Sequence, residues 1–127
     1  MSEKVYKILH VDDDQNFIDM VKIMLKGVQF KVDNAYNGAD AVTKAFRNKY
    51  DIIIMDIMMP IMDGKVASKT IKGMSPNIPI LALTAYDVDD LNSYNIDYTL
   101  RKPITKEVLL KNITYILENS KKYDNNI

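Results

Sequence analysis

Cysteine is missing from this 127-residue chain. Its absence removes a disulfide framework, a thiolate metal site and a cysteine nucleophile together. An excess of charge of one sign is missing too, because 17 Lys plus Arg balance 17 Asp plus Glu. Nothing in that balance steers the chain towards DNA or an anionic membrane. Long hydrophobic runs are absent, and residues 52–55 fall far short of the ~20 that span a bilayer. Residues 1–4 lack the apolar core of a secretory signal. No internal repeat or low-complexity linker interrupts the chain. The expectation is a cytoplasmic protein of one domain, residues 1–120, with a polar tail at 121–127, no membrane association and no direct nucleic-acid binding. At this length roughly two-thirds of the unfolded surface can be buried, so a core forms without staples.

Short β-type runs alternate with amphipathic helical stretches. Residues 5–11 form the first β run, stopped by Asp12, Asp13 and Asp14. Phe17, Val21 and Met24 or Leu25 then recur at helical spacing up to Gly27. Residues 30–35 read as a second strand, and Asn37 opens a helix expected to bury Ala41, Val42, Ala45 and Phe46. The continuous apolar run at 52–55, rich in β-branched residues, marks a strand covered on both faces. Asp63 is a good N-cap for a helix with Val66, Ala67, Ile71 and Met74 inward. Residues 78–83 give a fourth strand and 98–101 a short fifth. Thr105 caps a last helix with an apolar stripe of Leu109, Ile113, Ile116 and Leu117, and fraying is expected from Asn119 onward. Such alternation predicts an α/β fold, a parallel sheet with helices on both faces. Chemistry in these folds sits outside the carboxyl ends of the strands.

Four of the five strand ends carry polar groups of a consistent kind: Asp12, Asp13 and Asp14; Asp56; Thr84; and Lys102 before Pro103. Each alone has an ordinary explanation, as a helix cap, a turn residue or a surface lysine. Together, at successive strand ends, they describe one crevice. Crowded carboxylates need a cation, and oxygen ligands without His or Cys favour magnesium (Mg2+) or manganese. One carboxylate remains free to attack phosphorus and form an acyl phosphate. The metal, the Lys102 ammonium and the Thr84 hydroxyl can each neutralise one phosphoryl oxygen. His10, the single histidine, lies within a strand and reads as structural.

The runs ILHVDDD at 8–14, IIIMDIMMPIMDG at 52–64, ILALTAY at 80–86 and RKPI at 101–104 resemble response-regulator receiver domains of two-component signalling, of the chemotaxis-receiver kind. The resemblance covers roughly residues 5–118 and implies a flavodoxin-like, doubly wound five-stranded sheet of order 2-1-3-4-5. It implies Asp56 as phosphoacceptor and metal ligand, with Asp13 as a direct metal ligand and Asp12 as one that acts through water. Met58 would offer its backbone carbonyl to the metal. Thr84, which would move to meet the phosphoryl group, and Lys102 would stabilise it. Ala85, Thr99 and Pro103 would be switch or turn positions, the bond before Pro103 being often cis in the family. Gly64 falls in the loop after the acceptor. Implied partners are a sensor histidine kinase or a histidine phosphotransfer protein docking near the first helix, and a second copy in a homodimer. Such a domain is a signalling switch that assists its own phosphorylation and dephosphorylation, without a separate substrate. No output domain is expected, so the readout falls to a partner or to a larger protein.

Two departures stand out. The aromatic switch usual three positions before the lysine is replaced by Thr99, with Tyr98 one place earlier, leaving Tyr98 or Tyr86 as substitutes. The interval from Thr84 to Lys102 is short, which predicts a shortened fourth helix, one or two turns or a loop, near residues 87–94. The rival reading is a small haloacid-dehalogenase-type phosphatase with Asp12 as nucleophile, suggested by Asp12-x-Asp14. A receiver that only binds partners is a third.

Overall fold

The computed structural model describes residues 4–27, 29–59, 61–85 and 95–125. Among them five strands, β1 (Tyr6–Val11), β2 (Phe30–Ala35), β3 (Ile52–Asp56), β4 (Ile80–Thr84) and β5 (Tyr98–Arg101), form one sheet in the order β2-β1-β3-β4-β5. Every pairing is parallel. The helices are α1 (Gln15–Met24), α2 (Gly38–Arg47), α3 (Gly64–Met74) and α4 (Lys106–Asn125). The shortened helix expected near residues 87–94, together with Tyr86, lies outside the described residues.

Side chains alternate across a strand, so β1, β2, β3 and β4 each feed two cores, while β5 contributes to one through Tyr98 and Leu100. Leu9, Val11, Ile53, Met55, Ile80 and Ala82 pack with Ala41, Ala45, Ala67 and Ile71 of α2 and α3. Ile8, Ile52, Ile54, Leu81 and Leu83 pack with Phe17 and Val21 of α1 and Leu109, Ile113 and Ile116 of α4. All five residues of β3 are buried, as its unbroken apolar run requires. Burying each Ile or Leu contributes roughly 1.5–3 kcal/mol.

Helix starts follow the capping logic. Asp14 accepts from the backbone N–H of Asn16 and Phe17, Asn37 from Asp40, and Asp63 from Val66. The Thr105 hydroxyl accepts from Val108 N–H at 3.2 Å. Such caps satisfy N–H groups that have no partner within the helix.

Three inward assignments are corrected. Phe46, Val66 and Met74 are 73%, 47% and 40% exposed. The inward stripes are Gly38, Ala41 and Ala45 in α2, and Gly64, Ala67, Ser68 and Ile71 in α3. Small residues let these helices lie close to the sheet, and at ~100° per residue the position next to Ala45 points aside. β4 begins at Ile80 rather than 78, and α4 continues to Asn125 through most of the stretch expected as a tail.

Candidate functional site

The parallel topology brings the ends of β1, β3 and β4 and the residue after β5 to one edge. Asp12 follows β1 and is anchored by its N–H to Ala35 carbonyl at 3.1 Å. It is almost wholly buried (1% exposed), Asp56 is 7% exposed and Thr84 2%. Asp13 is exposed. One carboxylate oxygen from each of Asp12, Asp13 and Asp56 lies within 4.8 Å of the others. Three acidic groups at this spacing, with oxygen donors only, fit a hard divalent cation.

Lys102 reaches the same point. Its Nζ is 3.0 Å from Asp12 Oδ2 and 3.8 Å from Asp56 Oδ1. Lys102 N–H also donates to the Thr84 carbonyl at 2.8 Å, tying the ends of β4 and β5. The Lys102–Pro103 bond is cis. Burial and the neighbouring Asp12 push the Asp56 carboxyl up to about 6, against the opposing pull of Lys102. That carboxyl lies in a crowded acidic pocket, the environment a cation relieves.

Other sequence-selected residues fall around this centre. Met58, two positions past Asp56, exposes its side chain. Ala85 is exposed just beyond β4, and Thr99 is exposed on β5. Gly64 opens α3 where a Cβ would come within 2.1 Å of the Asp56 carbonyl oxygen. Only glycine fits there, so α3 seats directly on the backbone of the acidic strand end. Gly38 meets the same loop from α2, donating its N–H to Met62 carbonyl at 3.0 Å.

Two residues read from sequence only as structural lie against the site. His10 is fully buried on β1, and neither ring nitrogen has a hydrogen-bond partner among the described residues. Burial, then Lys102, pushes it down to about 3, so it is neutral near pH 7. Phe17 lies between the two, its ring centroid 5.8 Å from that of His10 and 4.0 Å from Lys102 Nζ. A single sequence carries no signal for either contact, because the partners come from separate elements.

A five-stranded parallel sheet of order 2-1-3-4-5, with acidic, hydroxyl and ammonium groups gathered at its carboxyl edge, defines a flavodoxin-like fold of the chemotaxis-receiver kind. The chain belongs to the response regulator receiver domain family, whose model matches residues 8–114. It is 33% identical over 126 residues to the transcriptional regulatory protein ZraR of Klebsiella oxytoca, covering 95% of this chain and 28% of that protein. It is also 33% identical to the response regulator ArlR of Staphylococcus aureus, covering 93% of this chain and 55% of that one. The chain thus spans little more than half, or less, of the curated relatives it matches. Among solved structures, a two-component response regulator from Clostridium difficile aligns with TM-score 0.83 and 31% identity, covering 89% of this chain and 96% of that one. The receiver domain of sensor histidine kinase PA1611 from Pseudomonas aeruginosa, with magnesium coordinated in its active-site cleft, aligns with TM-score 0.84 and 27% identity, covering 90% and 98%.

The phosphatase alternative is not supported. The Asp14 carboxylate, which that reading needs beside Asp12, is turned to the start of α1, where it accepts from Asn16 N–H at 3.0 Å. No described helix is long and apolar enough to cross a membrane.

Proposed function

We propose that Asp56 is the phosphoacceptor of this receiver domain, with Asp12, Asp13 and the Met58 backbone carbonyl completing a magnesium or manganese site. The observation that carries this reading is the convergence of three carboxylates within 4.8 Å, with Lys102 Nζ against two of them. When bound, the cation supplies neutralising charge for the carboxylates and for one phosphoryl oxygen.

The donor is a phosphohistidine on a sensor kinase or phosphotransfer protein. An Asp56 carboxylate oxygen attacks phosphorus, and the P–N bond to the donor imidazole breaks. The bonding pair stays on the imidazole nitrogen, and the new P–O bond completes the acyl phosphate. Lys102 pairs with one phosphoryl oxygen and the Thr84 hydroxyl donates to another, with Ala85 and Thr99 as switch positions. The added charge, roughly −1.5 to −2, biases two conformations of the loops around Thr84 and Lys102. The same groups assist the later hydrolysis. A cytoplasmic setting and self-association through a second copy belong to this proposal.

The experiment is labelling with acetyl phosphate in magnesium, followed by mapping of the modified residue. Label on Asp56, lost in Asp56→Asn, is the expected result. Label on Asp12, with Asp56→Asn still active, overturns the assignment.

A further inference from the structure

We propose that the Phe17 ring is a positioning residue for Lys102, holding its ammonium in the acidic crevice through the face of the aromatic ring. The inference rests on the assignment of Lys102 to the phosphoryl group.

Lys102 Nζ stands 4.0 Å from the Phe17 ring centroid, well inside the ~6 Å reach of a cation–π contact. Among the described residues the ammonium also approaches Asp12 Oδ2 and Asp56 Oδ1, at 3.0 and 3.8 Å. The ammonium thus has carboxylates and an aromatic face for company. The Lys102 side chain is only 19% exposed, and such a contact strengthens where water is excluded.

The ring itself is fixed from two directions. Its backbone N–H donates to the Asp14 carboxylate at 3.4 Å, in the cap that starts α1. His10 meets it edge-on, with the ring planes at 60°. Phe17 is 8% exposed and shares a core with Val21, Ile54 and Leu109, so it has little room to turn. A lysine stem is flexible and rich in rotamers. Tethering its charged end beforehand lowers the ordering cost when a phosphoryl oxygen must be met, which is how preorganisation accelerates a step.

The alternative is that Phe17 is only a core residue over which the aliphatic stem of Lys102 lies. Stem packing depends on the shape of the ring, whereas a cation–π contact depends on its electron-rich face. Fluorination separates the two, since it drains the face and nearly preserves the shape.

The test replaces Phe17 with 3,4,5-trifluorophenylalanine in the full chain and measures Asp56 labelling by acetyl phosphate at saturating magnesium. The expected result is a labelling rate roughly three- to tenfold lower, with a melting temperature lowered by no more than about 5 °C and an unchanged magnesium affinity. Proton resonances of the Lys102 Cε group should show an upfield ring-current shift that disappears in Phe17→Leu. Equal labelling rates for the native and fluorinated rings, or no ring-current shift, overturn the proposal. Lys102→Ala is the control. If it labels at the native rate, the assignment of Lys102 fails; if it is slow while fluorination has no effect, only the role of Phe17 fails.

Discussion

Tyr98 and Thr84 lie on opposite faces of the sheet. Thr84 pairs in register with Arg101, and Tyr98, an odd number of positions before Arg101, projects the other way. Tyr98 packs there against Tyr115 of α4, edge to face at 6.4 Å and 87°. It is therefore misplaced to follow a movement of Thr84, and the aromatic expected at position 99 has no substitute in it. We predict that Tyr98→Ala lowers stability by about 1–3 kcal/mol through lost aromatic packing and leaves Asp56 labelling by acetyl phosphate within about twofold of native. Urea unfolding and labelling rates check the two halves. A labelling rate that collapses in folded Tyr98→Ala refutes the separation of faces.

His10 and Asp56 have opposite effects on the pH dependence of stability. Asp56 is raised from 3.8 to about 6 in the metal-free protein. Its contribution is full below the unfolded pKa and is lost as pH rises through about 6. His10 is lowered from 6.5 to about 3. Its contribution is full above the unfolded pKa and is lost as pH falls towards about 3. In the metal-free native protein the two trends oppose each other between about pH 4 and 6. Asp56→Asn should expose the His10 trend, with stability rising through that window. His10→Leu should expose the Asp56 trend, with stability falling. Urea midpoints at several pH values decide it; parallel profiles in the two variants would refute the assignment.

Gly64→Ala and Gly38→Ala test how tightly the loop after Asp56 is held. An added Cβ would come within 2.1 Å of the Asp56 carbonyl oxygen in the first and of the Met62 carbonyl oxygen in the second. Both oxygens are backbone atoms, so neither clash resolves by turning a side chain. Each substitution should cost roughly 2 kcal/mol or more. Gly64→Ala should also slow Asp56 labelling more than Gly38→Ala, because its clash is with the backbone of Asp56, the proposed acceptor. Equal labelling in both would show that the Asp56 backbone tolerates the shift.

Much of this architecture was readable in the chain. Asn37, Asp63 and Thr105 marked helix starts because capping is local chemistry. The strand ends were legible because buried parallel strands are continuous apolar runs that stop at polar residues, as β3 does at Asp56. Phe46, Val66 and Met74 are hydrophobic yet stand at helical angles that turn them to solvent, so hydrophobicity alone misplaces them. Ala41, Ala45, Ala67 and Ile71 were legible as inward, whereas Gly38, Gly64 and Ser68, buried beside them, carried no hydrophobic signal although close helix–sheet packing selects for lack of bulk. The contacts of Lys102 with Phe17 and of Phe17 with His10 had no local signature. They depend on which sheet face each element covers and on the path of one long side chain.

Asp13 and Asp14 are adjacent, yet they should respond differently to magnesium. Asp13 contributes a carboxylate to the acidic cluster with Asp12 and Asp56. Asp14 accepts from two backbone N–H groups at the start of α1. A ligand that binds only the folded state at 100 times its dissociation constant stabilises by about 2.7 kcal/mol. For a domain of this size that corresponds to roughly 10 °C in melting temperature. Asp13→Asn should lose most of that magnesium-dependent increment while keeping a near-native melting temperature without metal. Asp14→Ala should lose about 1 kcal/mol of stability without metal and retain the full increment. Asp56→Asn should melt higher than native without metal near pH 7, because a crowded buried charge is gone, and should gain less from magnesium. Thermal melts of the four proteins with and without the ion check all of this. A native-sized increment in Asp13→Asn would remove Asp13 from the metal site.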